Sequence, residues 1–125
     1  MKKVKRLIFI AILSVNISVV NGQINEIYTA LNNGKELLYK SESKGCLTLN
    51  KSTMKQSYSL NCEKPMDFTI KTMKINGAKI ELSMVLHYYG DVNLYGTIEV
   101  QGGIIVLSYG ESMNNPNQVD KYKLK

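Results

Sequence analysis

"DFTIKTMKINGAKIELSMVLHYYG", residues 67–90, is the stretch on which the fold turns. Apolar and polar residues alternate on both sides of Asn76-Gly77, and a period of two marks strands that bury one face. Asn-Gly between two such runs is the strongest short-range hairpin signal, because both central residues of a type I′ turn need positive φ. A two-residue turn there pairs Ile75 with Ala78 and Met73 with Ile80. Carried outward, the same register sets Lys71 against Leu82 and Thr69 against Met84, which turns Phe68 and Ile70 away from the core. One extra residue repairs the conflict. We therefore expect a β-bulge near Lys71 and Thr72, after which Phe68 and Ile70 rejoin the face of Ile80, Leu82, Met84 and Leu86. A wider turn that takes in Ala78 is the alternative.

The next stretch, "VNLYGTIEVQGGIIVLSYG" (residues 92–110), repeats the pattern without conflict. With Gly102-Gly103 as the turn, Gln101 meets Ile104, Val100 meets Ile105 and Ile98 meets Leu107. Val92, Leu94, Ile98 and Val100 then share a face with Ile105, Leu107 and Tyr109, while Glu99 and Val106 point away. "ESMNNPNQ" reads as a loop, and "VDKYKLK" as a last strand with Tyr122 and Leu124 inward.

Upstream, "KELLYKS" and "CLTLN" are short strand candidates, and "MKQSYSLNC" places Met54, Tyr58, Leu60 and Cys62 on one side. The last two segments make a hairpin with a loop around Ser52 to Lys55, before Pro65 breaks the pattern. Earlier still, Ile24, Ile27, Tyr28 and Leu31 stand at i, i+3, i+4 and i+7, the stripe of a short amphipathic helix from about Asn25 to Asn33, with Gly34 where it would end. The fold class is mainly β (α+β): one short N-terminal helix followed by seven or eight antiparallel strands, forming a curved sheet, a small barrel or a sandwich. Our preferred form is an incomplete barrel with the helix plugging its open side.

Residues 1–22 are set apart from this body. Lys2, Lys3, Lys5 and Arg6 precede an apolar run from Leu7 to Val20, interrupted by Ser14, Asn16 and Ser18. It falls short of the roughly 20 residues that cross a hydrocarbon core and reads as a secretory signal peptide, with Val20 and Gly22 as the small residues before cleavage. The expected mature chain, residues 23–125, is a single compact β-rich domain, periplasmic or secreted, with no stable membrane insertion. Its 12 lysines oppose 10 acidic residues, so most of the +6 of the full chain departs with the leader. It holds no arginine, the side chain best matched to phosphates and bases, and nucleic acid is not an expected partner.

Export also decides the reading of Cys46 and Cys62, the only two cysteines. In an oxidising compartment an even pair at short spacing is a disulfide, and closing a loop of about 16 residues restricts the unfolded chain by about 3 kcal/mol. A structural metal would need further ligands, yet the chain has one histidine, His87, and no metal-ligand spacing; no metal or cofactor is expected. No nucleophile elbow and no phosphate-binding glycine loop is present, so we expect no enzyme and no catalytic residues.

One cluster suggests contact. His87, Tyr88, Tyr89, Asp91, Asn93 and Tyr95 gather around a single tight turn, and tyrosine offers wide contact area, few rotors and a polar tip. The same residues also suit an ordinary hairpin turn. The expected function is a small exported non-catalytic binding module, of inhibitor or immunity type, acting by protein–protein contact. The alternative is a small-molecule or saccharide binder that uses the mouth of the curved sheet.

Overall fold

The computed structural model describes residues 22–41 and 45–124. The expected leader lies, except for Gly22, outside the described residues. A helix, α1 (residues 22–32), is followed by β1 (Leu37–Lys40), β2 (Cys46–Leu49), β3 (Thr53–Ser57), β4 (Met66–Asn76), β5 (Lys79–His87), β6 (Asp91–Gln101), β7 (Ile104–Gly110) and β8 (Gln118–Lys123). All eight strands form one antiparallel sheet in sequence order. It curls into a nearly closed barrel, in which β1 and β8 approach across a seam that carries no ladder among the described residues.

The inward stripe of each strand fills the interior. Phe68, Ile80, Leu82, Met84, Ile98, Ile105 and Leu107 are almost wholly buried, and each such side chain contributes about 1.5–3 kcal/mol by leaving water. The helix completes this core. Ile24, Ile27 and Leu31 are buried in the same cluster, and α1 lies along a shallow groove with Leu37, Tyr39 and Leu124 at the seam. A helix this short is not stable alone and is held by that contact. It begins three residues before the expected start and ends in a Schellman motif: Gly34 adopts φ 84°, Gly34 N–H bonds Leu31 C=O and Lys35 N–H bonds Ala30 C=O, each at 3.0 Å.

The two diagnostic hairpins resolve differently. Gly102 and Gly103 both have positive φ, the signature of a type I′ turn, and the pairs Gln101–Ile104, Val100–Ile105 and Ile98–Leu107 match the expected register. In β4–β5 the turn falls one residue later, on Gly77-Ala78, closed by Asn76–Lys79. Only Gly77 takes positive φ, as in a type II′ turn. Ile75 therefore meets Ile80, not Ala78, and Met73 meets Leu82. Moving a two-residue turn by one position shifts the register by two and leaves every side chain on its face, so the conflict downstream persists. The bulge that resolves it lies between Ile70 and Thr72, and beyond it Ile70 meets Met84 and Phe68 meets Leu86.

Two further readings are corrected. β3 stops at Ser57, and the chain then folds into a 3₁₀ turn (Leu60–Cys62), so Tyr58 and Cys62 do not continue the strand. The β2–β3 loop is residues 50–52, earlier than the expected Ser52 to Lys55, because the Asn50 side chain accepts the N–H groups of Ser52 and Thr53 at 2.8 Å and fixes the bend. Val106 does point away from the core, yet it is buried, lying between Glu99 and Lys121 on the outer face.

Candidate functional site

Because every strand reverses the one before it, the connections alternate between the two ends of the barrel. One end holds the α1–β1 link and the turns at residues 50–52, 77–78 and 102–103. The other end, the rim, holds the longer β1–β2, β3–β4 and β7–β8 loops and the three-residue β5–β6 loop, Tyr88-Tyr89-Gly90. Tyr58, Tyr88, Tyr89 and Met113, four of the eight large hydrophobic residues left exposed among the described residues, lie in rim loops. Val119 and Tyr95 stand nearby on strands that reach the rim, whereas Ile104 is beside a far-end turn.

Two of these rings stand together at the β5–β6 tip. Tyr89 is 96% and Tyr88 55% accessible, and their rings meet edge to face with centroids 4.6 Å apart. Tyr89 holds φ 55°, followed by Gly90 at φ 115°. A bulky side chain in that backbone region is uncommon and costs on the order of 1 kcal/mol.

Below the tip, His87 anchors the hairpin. Its Nδ1 lies 2.8 Å from Asp91 Oδ1 and its Nε2 2.7 Å from Thr69 Oγ1, so one ring joins β4, β5 and β6 on the outer face. Lys71 Nζ donates to Asn93 Oδ1 at 3.1 Å in the same region. Cross-strand pairing also sets Asp67 opposite His87, on the side away from Asp91. The order hydroxyl, imidazole, carboxylate is that of a nucleophile relay. Here it stands on the outer face of an open sheet, where β4, β5 and β6 are each paired on both sides. The arrangement suits anchoring. Of the expected site residues, the structure joins His87 to Asp91 and Tyr88 to Tyr89; Asn93 bonds Lys71, and Tyr95, 41% exposed, stands apart beside Gly110 on β7.

Residues that the sequence reading left out complete the rim. Gln56 of β3 is fully buried, and its amide is the hub of a polar network. Its Nε2 donates to Asp120 Oδ2 (2.6 Å) and to the Tyr122 hydroxyl (2.7 Å), and its Oε1 accepts from the Tyr109 hydroxyl (2.7 Å). Tyr58 O–H donates to Asp120 Oδ2 at 2.8 Å, and Gln118 Nε2 reaches both Tyr58 and Asp120. β3 is thereby tied to β7 and β8 across the barrel's mouth. Burial pushes the Tyr109 and Tyr122 hydroxyls above their usual pKa, with the Asp120 charge adding to it. Tyr58 shifts the same way, through burial of its hydroxyl end and its bonds to Tyr109 and Asp120. The one signal in the sequence was parity: Gln56 shares the inward stripe of Met54, where a polar residue is out of place.

The disulfide braces the same end. Cys46 at the start of β2 is bonded to Cys62 of the 3₁₀ turn, with Cα atoms 5.3 Å apart. Inside this loop Ser57 and Ser59 donate to the Glu63 carbonyl, and Asn61, Cys62 and Lys64 all take positive φ. Among the described residues there is no cluster of potential metal ligands, and no helix is long and apolar enough to cross a membrane. The chain matches no protein-family model, no curated protein and no solved structure.

Proposed function

We propose that this is an exported, non-catalytic contact protein that engages another protein through the loop-bearing rim, as an inhibitor or immunity-type module does. The observation that carries the reading is Tyr89: a fully exposed aromatic ring, held in a backbone conformation that disfavours it, with no burial in its own fold to compensate. Strain retained at an exposed position points to use there, and exposed tyrosines are typical anchors of protein interfaces. The His87 anchor and the Gln56 network hold the rim rigid before contact, which lowers the entropy lost on binding. The disulfide supports the exported location. The second expectation, a small ligand in the mouth of the sheet, draws no support from a mouth occupied by Gln56, Tyr109 and Tyr122 bonded to one another.

The test is capture from the producing organism's surroundings, with immobilised wild-type protein compared with a Tyr88→Ser/Tyr89→Ser double variant of unchanged thermal stability. A partner held by the wild type and lost from the variant supports the reading; equal retention by both overturns it.

A further inference from the structure

Resting on that reading, the geometry points to the class of partner: we infer that the rim receives a cationic protein surface, and that a lysine or arginine of that surface seats beside the Tyr88–Tyr89 pair against the carboxylate of Asp91, with Asp67, on the other side of His87, adding its charge to the field. Three independent features converge on this occupant.

The first is the division of charge. Among the described residues, the rim and the strand ends next to it carry Glu63, Asp67, Asp91, Glu111 and Asp120 against Lys40, Lys55 and Lys64, with Lys71 reaching toward them from mid-β4 and bonded to Asn93. The far end reverses the balance, with Lys35, Lys51, Lys74, Lys79 and Lys123 against Glu36, Glu81 and Glu99. A chain whose expected mature form is close to neutral is thus polarised along the barrel axis, and such a field steers partners of opposite sign toward one end.

The second is that the acidic side chains near the tip are uncommitted. Lys74 reaches Glu81 at the far end, at 3.7 Å, but Asp67, although Lys55 stands opposite it on β3, makes no ion pair or hydrogen bond among the described residues. Asp91 engages His87 through Oδ1 alone, and its side chain is 73% exposed. Both carboxylates face solvent in the free protein and are open to a partner.

The third is the aromatic pair itself. An edge-to-face pair leaves one ring face open to approach, and tyrosine faces attract ammonium and guanidinium groups. Ring face and carboxylate together discriminate cationic from neutral side chains. A neutral or acidic partner would gain the apolar contact but meet the rim charges unpaired, which disfavours it.

The experiment uses protein purified after expression of the full chain, isotopically labelled for amide NMR, and two soluble probes: an eight-residue lysine–arginine–glycine peptide and its glutamate–glycine counterpart. The basic peptide is expected to shift the amides of residues 87–91. Its affinity should fall at least about fivefold between 50 and 500 mM NaCl and about fivefold in an Asp67→Asn/Asp91→Asn variant, in which the tip is intact because asparagine still accepts from His87. Absence of shifts at 87–91, equal binding of the acidic peptide, or indifference to both salt and the Asn variant overturns the inference. The two readings separate through the captured partner: binding lost with the tyrosine variant but untouched by salt and by the Asn variant leaves the rim as the contact surface and removes only its preference for cations.

Discussion

The two ends of this barrel solve the same problem, reversing the chain between antiparallel strands, in different ways. At the far end the positive-φ positions are Gly34, Gly77, Gly102 and Gly103, all glycine, so the reversals carry little strain. At the rim the positive-φ residues include Asn61, Cys62, Lys64 and Tyr89, of which only Asn61 has a side chain that readily tolerates that conformation. The far end turns in two or three residues; the rim spends longer loops, a disulfide and a buried polar hub to hold its shape. A protein selected for stability alone has no reason for this asymmetry. The difference teaches that the strain is local and gathered on one surface.

The contrast breaks most severely at Gln56. Replacing it with leucine keeps the volume but leaves the Tyr109 and Tyr122 hydroxyls and Asp120 without their shared partner inside the barrel. We expect a loss of about 3–5 kcal/mol in chemical denaturation, since buried polar groups left unpaired cost more than the bond itself. A loss below about 1 kcal/mol would mean that water enters the mouth readily and that the rim is not rigid.

Alkaline titration probes the same hub more gently. The buried tyrosines 39, 109 and 122 have pKa values above those of the unfolded chain, so the folded state keeps protons that the unfolded state releases. Their contribution to stability is complete below about pH 10 and is lost as pH rises through and beyond that value, by up to about 1.4 kcal/mol per tyrosine per pH unit. Thermal melts from pH 8 to 11.5, paired with ultraviolet absorbance of tyrosinate, should show stability level to about pH 10 and then falling, with ionisation of these rings coincident with unfolding. Smooth ionisation in the folded protein would place the hydroxyls in contact with solvent.

Sequence and structure agree best where a single residue type allows a single geometry. Gly102-Gly103 fixed its hairpin register because two adjacent positive-φ positions leave little choice, and the bulge at Lys71 was visible because Phe68 and Ile70 cannot both be apolar and outward. The turn at Asn76-Gly77 was misplaced by one residue because Gly77 serves a type II′ turn as readily as a type I′ turn, and no local signal separates them. The rim was only half legible. His87, Tyr88, Tyr89 and Asp91 are neighbours along the chain, so their cluster could be read directly. Gln56 and Asp120 lie 64 residues apart, and only closure of the sheet, with β3 facing β8, brings them together. Tyr58 was read as part of a strand because nothing in its surroundings announces the 3₁₀ turn that ends β3.

The smallest effect on stability is the sharpest test of what the rim is for. Tyr89→Gly removes a ring that touches only Tyr88 and places at φ 55° the residue that tolerates it best. Relief of the backbone offsets the lost ring contact and the greater freedom of glycine in the unfolded chain, so denaturation should show stability unchanged or raised by up to about 1 kcal/mol. Capture of the protein partner, by contrast, should be lost. A residue whose removal leaves the fold as firm as before while abolishing contact is placed for the partner and not for the barrel. If instead the variant is destabilised by more than about 1 kcal/mol, Tyr89 packs for its own chain, and the rim's strain belongs to folding.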